Sequence, residues 1–505
     1  MNKLLWDTPD RLRELLCELV SWNSITLTDG EREFAPKLIE KIRELEYFQT
    51  HPSQLQLHDA GLARQVVTAF YKHPTATETV VLISHFDTVQ TEEYGTLEPL
   101  AYFPEELTRK LMENPSELPE DAQEDLATGK YLFGRGTMDM QLIEKATVEE
   151  WPINLILTSV PDEEVNSAGM RAAVTQLVRI REEFGLNYKL FLNSEPSFSQ
   201  VPKDIDEYIY SGTIGKIMPA ALFYGKETHV GEPMKGMTAN YIASFLTQRM
   251  EYNPIFTEHD LGESTPLPVS LQQKDLKMSY STQTPYRAVA LYNVFLLRRT
   301  ASDIMDLFEQ VANEAMDALN KTYQQICERE QVQGIGQVRV LKYDELLAYA
   351  NKKLGIEEVQ RLKQEVLAEE EWDDREKSLR IVDNLMIQCQ ELSPATVLLF
   401  APPYYPAVNT SKDPLIIEAV ELMKQSAQTF NNTIKQIHYF NGICDLSYVN
   451  YEDDGNGWTA FESNTPVWGD TYDIPFEDMA KLKGPVLNVG PFGKDAHQKT
   501  ERLHV

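Results

Sequence analysis

What this chain lacks narrows it first. Among 505 residues there are only four cysteines, Cys17, Cys327, Cys389 and Cys444, and no two of them form a Cys-x-x-Cys pair. That excludes both a disulfide framework and a thiolate zinc site. Long apolar runs are missing too: a typical one is Val80 to Ile83, far short of a bilayer span, so no membrane partner is expected. The first residues, Met1 to Asp7, lack the apolar core and small-residue cleavage site of a secretory signal, which makes the cytoplasm the expected location. Positive charge is scarce. Lys and Arg number 47 against 78 Asp and Glu, a net charge of −31, and such a surface repels phosphate backbones, excluding nucleic acid as a partner. Part of the acidity is gathered between Glu92 and Asp125. This stretch reads as a solvated surface insertion rather than a cation site.

What is present is ordinary globular material, with 42% hydrophobic and 25% charged residues. A chain of this length exceeds what one core supports, so two or more domains are expected. The opening segment reads as a helix from Thr8 to Val20, with Pro9 in its first turn and Leu12, Leu15, Leu16 and Leu19 along one face. A second amphipathic helix spans Glu31 to Leu45. Short apolar runs then end in polar clusters: Val80 to Ser84 before His85, Ile153 to Val160 before Asp162, Tyr188 to Leu192 before Glu195, and Pro485 to Val489 ahead of His497. Buried strands that deliver polar residues at their C-terminal ends are how open α/β sheets bind ligands.

The middle of the chain has another texture. Strands are expected at Lys216 to Tyr224, Pro268 to Tyr280, Ala288 to Leu297 and Val338 to Leu341, with helices at Ala239 to Met250 and Ser302 to Glu328. That β-α-β-β-α-β order describes a small two-layer domain inserted in a larger one. The fold class read from the sequence is therefore α/β, a mixed central sheet flanked by helices plus an inserted α+β lid or dimerisation domain. Its expected boundaries are 1–211 and 395–505 for the larger domain, 212–345 for the inserted one, and 346–394 for a charged helical insertion.

Three local patterns carry chemistry. In Ser84-His85-Phe86-Asp87 the residues i and i+2 at a strand's end point the same way, and a carboxylate accepting an imidazole N–H strengthens the other nitrogen as a metal ligand. In Gly134-Arg135-Gly136-Thr137-Met138-Asp139 two glycines permit a tight loop. Asp139 then either caps a following helix or bridges two cations, and the two roles are compatible. Sharpest is Pro161-Asp162-Glu163-Glu164, three acids directly after an apolar strand. Grouped like charges there are costly unless a cation or a proton is present. Adjacent carboxylates can also divide labour, one holding metal while the other moves protons.

Together these patterns, with Glu195 in Asn193-Ser194-Glu195-Pro196 and His497 in Lys494-Asp495-Ala496-His497, resemble the M20 family of dinuclear zinc peptidases and deacylases. Leu19 to Ile25, Pro161 to Met170 and Lys494 to Leu503 are similar to its RocB-like, arginine-utilization branch. The resemblance spans essentially the whole chain. It implies two divalent ions, zinc with cobalt or manganese as alternatives. His85 and Glu195 would hold one, Glu164 and His497 the other, and Asp139 would bridge them. It further implies Glu163 as general base, Asp87 as partner to His85, and His229 in the inserted domain as a donor to the oxyanion, reached in many relatives from the neighbouring subunit of a homodimer. The expected substrate is a small peptide or N-acyl amino acid, cleaved at its amide bond.

Three departures from the family pattern stand out. The segment between Asp139 and Glu163 is shorter than usual, the chain stops at Val505 where relatives continue into a helix, and the arginine that holds a substrate carboxylate has no clear match, leaving Arg287 or Arg298. The first two keep open a catalytically impaired relative that acts by binding or regulation. Asp445 in Gly442-Ile443-Cys444-Asp445 is the candidate for a basic group on the substrate, beside a plain turn-forming role.

Overall fold

The computed structural model describes residues 6, 8–138, 151–197, 200, 206–277, 279–452 and 457–505. The chain forms two compact units, one of Met1–Thr213, Val408–Glu452 and Pro475–Val505, the other of Ile214–Ala407 and Asp453–Ile474. No described helix is long and apolar enough to cross a membrane.

An eight-stranded mixed sheet organises the first unit. Its order is Leu55–Asp59, Gln65–Tyr71, Asn154–Val160, Glu78–His85, Asn187–Asn193, Val486–Asn488, Glu207–Tyr210, Ile434–Ile437. The four central strands, 154–160, 78–85, 187–193 and 486–488, run parallel. Parallel strands need covering on both faces, and the alternation of side chains along 65–71 shows how this is achieved. Val67 and Ala69 join a cluster with Leu15 and Leu19 of helix Pro9–Val20 and Phe34 and Ile39 of helix Asp29–Arg43. Phe70 instead meets Phe184 of helix Ala168–Phe184, ring centroids 5.2 Å apart. Helix layers therefore lie on opposite faces. Farther along, helix Pro414–Gln428 covers Leu190, Leu192 and Leu487 through Ile416 and Val420.

The stretch read as a solvated acidic insertion is more than that. Helices Pro104–Glu113 and Glu120–Thr128 bury Leu107, Leu111, Ala122 and Leu126 against Leu132 and Phe133, and Asp125 is itself buried. The amphipathic spacing is there in the sequence, but the run of acids on the outer face masks it.

The second unit holds a five-stranded sheet in the order Val269–Asp275, Arg287–Leu296, Gly215–Tyr224, Ala395–Tyr405, Arg339–Lys342. Helices Ala239–Met250 and Ala301–Glu330 form with the sheet, as the spacing predicts. One strand differs from the sequence reading: Ala395–Tyr405, assigned there to the larger domain, pairs antiparallel with 215–224 and parallel with 339–342. Its interior prolines, Pro402 and Pro403, argue against a central strand; they fall where the register to 215–224 shifts between Ala401 and Tyr405. Helices Tyr343–Leu354, Ile356–Leu367 and Asp374–Gln388, read as a separate insertion, lie within this unit.

Candidate metal centre

The parallel strands deliver their polar residues at one end of the sheet. His85 closes its strand, and Phe86, the next residue, turns to the opposite face and stacks on Phe34 at 4.6 Å and 7°. That anchor leaves His85 and Asp87 on a common side. His85 Nδ1 lies 3.0 Å from the Asp87 carbonyl oxygen and 3.5 Å from Asp87 Oδ1. The shorter contact fixes the proton on Nδ1 and frees Nε2 as a lone-pair donor. The Asp87 carboxylate has a further task. It accepts the Glu163 N–H at 3.0 Å, the Glu164 N–H at 3.3 Å and the Thr26 hydroxyl at 2.8 Å, so it braces the turn that presents both glutamates.

That turn is tight. Asp162 adopts a left-handed φ of 66°; its carbonyl accepts the Ser167 N–H at 2.6 Å, its Oδ2 accepts the Ala168 N–H at 2.9 Å, and Arg64 pairs with it at 2.5 Å. Glu195 follows strand 187–193, and the Asn488 side-chain amide donates to its carbonyl at 3.1 Å. Gly490 passes so close that a Cβ there would stand 2.0 Å from the same oxygen, which is why no larger residue fits.

Donor atoms converge as two pairs. His85 Nε2 and Glu195 Oε1 are 3.7 Å apart, and His497 Nε2 and Glu164 Oε1 are 2.9 Å apart. Two ligands at zinc–nitrogen and zinc–oxygen lengths on a tetrahedral ion stand about 3.4 Å from each other, and the two separations bracket that value. Among the described residues no group of three or more such side chains forms a complete cage. Asp139, the bridge implied by the family resemblance, lies outside the described residues. One neutral imidazole and one carboxylate per pair is nevertheless a donor set that suits zinc, so the residues fit the ions.

Near His85, Glu195 and Glu164 stands Glu163, 8% exposed. Burial pushes its carboxyl well above the usual range, while His85 nearby pulls it down and Glu195, Glu164 and Asp445 push it further up.

The remaining candidates fall elsewhere. Asp445, proposed from sequence as a contact for a basic substrate group, has no exposed surface. Neither carboxylate oxygen has a hydrogen-bond partner among the described residues, and burial with Asp87 and Asp162 nearby, opposed by His85, lifts it to about 7. It is buried near His85, Asp87 and Asp162 rather than exposed to a substrate. Arg287, in the second unit, is committed to Asp383 at 2.7 Å, and Arg298 pairs with Asp260 at 2.8 Å; a substrate carboxylate would have to displace those partners. His229 is exposed on the second unit. Its Nδ1 accepts the Gly231 N–H at 3.0 Å, so in the neutral ring the proton rests on Nε2, leaving a donor there.

Sequence reasoning missed the residues behind the site: Thr26, Arg64 and a fully buried Glu31, whose Oε2 accepts the Leu27 N–H at 2.7 Å. Cys444 is buried beside Glu195 and Glu163, which together with burial raise its thiol. Only tertiary proximity reveals these, since none sits in a spaced motif.

No family model matches the sequence. Two proteins of Bacillus subtilis match along nearly all of it. YqjN is 39% identical over 515 residues, covering 99% of this chain and 94% of its own, and RocB is 30% identical over 524 residues, covering 98% and 92%. Among solved structures, the M20 family metallo-carboxypeptidase Sso-CP2 from Sulfolobus solfataricus aligns with a TM-score of 0.53 at 12% identity, over 97% of this chain and 94% of that one. The di-peptidase Dug1p from Saccharomyces cerevisiae aligns with 0.51 at 10% identity, over 98% and 93%. The chain belongs to one family with RocB and YqjN, and it has the fold of the M20 family metallo-carboxypeptidase.

Proposed function

We propose that the protein is a hydrolase of amide bonds in small peptides or N-acyl amino acids, dependent on two divalent metal ions, zinc by preference. The observation that carries this reading is the two histidine–carboxylate pairs together with a buried Glu163 near His85, Glu195 and Glu164. His85 and Glu195 would hold one ion, Glu164 and His497 the other, with Asp139 between. Bound there, the ions would polarise a carbonyl oxygen and make water acidic enough to attack near neutral pH. Glu163 would take the proton of the attacking water on a carboxylate oxygen and hand it to the leaving nitrogen. Asp87 keeps Glu163 and Glu164 apart in their two roles by gripping both backbone N–H groups. His229 would offer its Nε2–H to the developing oxyanion, from its own chain or from a second copy in a homodimer. A basic, arginine-like substrate remains the preference of the RocB resemblance and of the acidic surface, without Asp445 as its contact.

The test is a screen of dipeptides and N-acyl amino acids, acyl-arginine included, with protein stripped by chelator and reloaded with zinc, cobalt or manganese. Turnover that appears only on reloading, at about two ions per chain, is expected. Absence of any bound metal after reloading would reject the proposal.

A further inference from the structure

Two arginines of the first unit are buried outright, which is costly unless carboxylates meet each charge. Arg135 and Arg502 are 1% and 0% exposed. Arg135 Nη1 donates to Glu501 Oε2 at 2.9 Å, and its other terminal nitrogen pairs with Glu93. Glu501, also without exposed surface, accepts the Gly136 N–H at 2.8 Å on its carboxylate and the Gly134 N–H at 3.0 Å on its carbonyl. Arg502 stands among three carboxylates, Asp125 at 2.7 Å, Asp121 at 2.8 Å, and Asp495. Lys494 reaches Asp125 as well, at 2.8 Å.

These bonds bracket His497. Strands Gly493–Lys494 and Arg502–His504 are the arms of a hairpin, and the second arm pairs with Tyr131–Phe133. The loop between the arms holds Asp495 and His497 at left-handed φ of 58° and 63°, a conformation that non-glycine residues adopt at a cost and keep only when their surroundings impose it. Asp495 closes the loop by accepting the Thr500 hydroxyl at 2.7 Å. At Gly493 an added Cβ would stand 2.5 Å from Met138 Sδ and 2.6 Å from the Arg502 carbonyl, so hairpin and Gly134–Met138 segment are packed without slack.

We propose that Glu501 and Arg502 are positioning residues of the metal centre. Through Arg135, Gly134 and Gly136 on one side and through Asp121 and Asp125 of the acidic stretch on the other, they set His497 opposite Glu164 and hold the loop that leads in sequence to Asp139. Neither residue touches substrate or metal. The inference rests on the proposed function, and it gives the acidic segment a use: it supplies the counter-charges that clamp the end of the chain.

The test is zinc titration of the full chain against a chromophoric chelator, with near-ultraviolet circular dichroism in parallel, for wild type, Glu501→Gln, Arg502→Lys and the surface control Glu117→Gln. Glu501→Gln keeps an acceptor for Gly136 and loses the charge facing Arg135. It should weaken the looser zinc by about 10–100-fold, the usual scale for a supporting partner, leaving the tighter zinc and the folded spectrum intact; Arg502→Lys should do the same to a smaller degree, and the control should match wild type. Unchanged affinity for both ions in the two variants overturns the clamp alone. Equal weakening of both ions together with loss of the folded spectrum also overturns it, because the role would then be general stability. A wild-type chain that binds no zinc overturns the proposed function and the clamp with it.

Discussion

His85 and Glu195 come directly off two neighbouring parallel strands, and their side chains are 1% and 5% exposed. His497 comes off a loop with 45% of its side chain exposed, facing a Glu164 that is 10% exposed. Strand ends are placed by the hydrogen bonds of an eight-stranded sheet, whereas the loop is placed by a short three-stranded sheet and a cluster of ion pairs. The first candidate pair is thus held by the core, and the second depends more on charge. Charge-held geometry yields to salt, to mutation and to chelation sooner than geometry built into a buried sheet.

The sharpest way to probe the contrast is to leave both pairs in place and remove only the carboxyl proposed to carry the proton. Glu163→Gln should keep two metals and lose about 10²–10⁴-fold in kcat, read by elemental analysis beside steady-state kinetics; a near wild-type rate would exclude Glu163 as base. Next in size is the asymmetry itself. His497→Ala should retain roughly one metal ion with little change in Tm, while His85→Ala should lower metal content and also Tm, since it empties a buried position. In wild type, release of metal to a chelator should be biphasic, with the fast phase missing in His497→Ala. A single phase in both proteins would show that the pairs are equivalent.

A pH effect separates the strand side further. Burial, with Asp87 and Asp162 adding to it and the Leu27 N–H and Arg64 opposing, raises Glu31 to about 8. A carboxyl raised in the folded state favours folding fully below its unfolded value and loses that contribution as pH climbs to the folded value. Stability from this group is therefore lost between about pH 4.5 and 8. Glu31→Gln, still able to accept from Leu27, should gain Tm relative to wild type at pH 8 and show no gain at pH 5. A difference in Tm that is flat with pH would contradict the assignment. The smallest effect is expected at Thr26→Val, which removes the hydroxyl that donates to Asp87. A loss of about 1 kcal/mol in denaturant unfolding is expected, with a modest drop in kcat as the Glu163–Glu164 turn loosens.

Much of the site is legible in the sequence because its residues stand at the ends of apolar strands, where period and polarity change together. Val80 to Ser84 and Ile153 to Val160 announce His85 and the acid triplet through residue order alone. The unit to which Ala395–Tyr405 belongs is not legible in the same way, because strand pairing is a long-range choice: its partner, 215–224, lies far away in sequence, and nothing local names it. Asp445 is legible as a polar turn residue but not as a buried one, since burial depends on what packs above it.

By itself, then, the sequence determined the α/β class, the strands that carry His85, Glu163, Glu164 and Glu195, and the family, because these depend on local periodicity and on residue types at fixed spacing. Tertiary structure alone decided that Asp87 grips the Glu163–Glu164 turn, that Arg287 is bound to Asp383, and that Arg135 and Arg502 are buried among acids from the 92–125 stretch. Such partners are chosen by three-dimensional proximity and by the need of every buried charge for an opposite one, and neither is written in the order of residues along the chain.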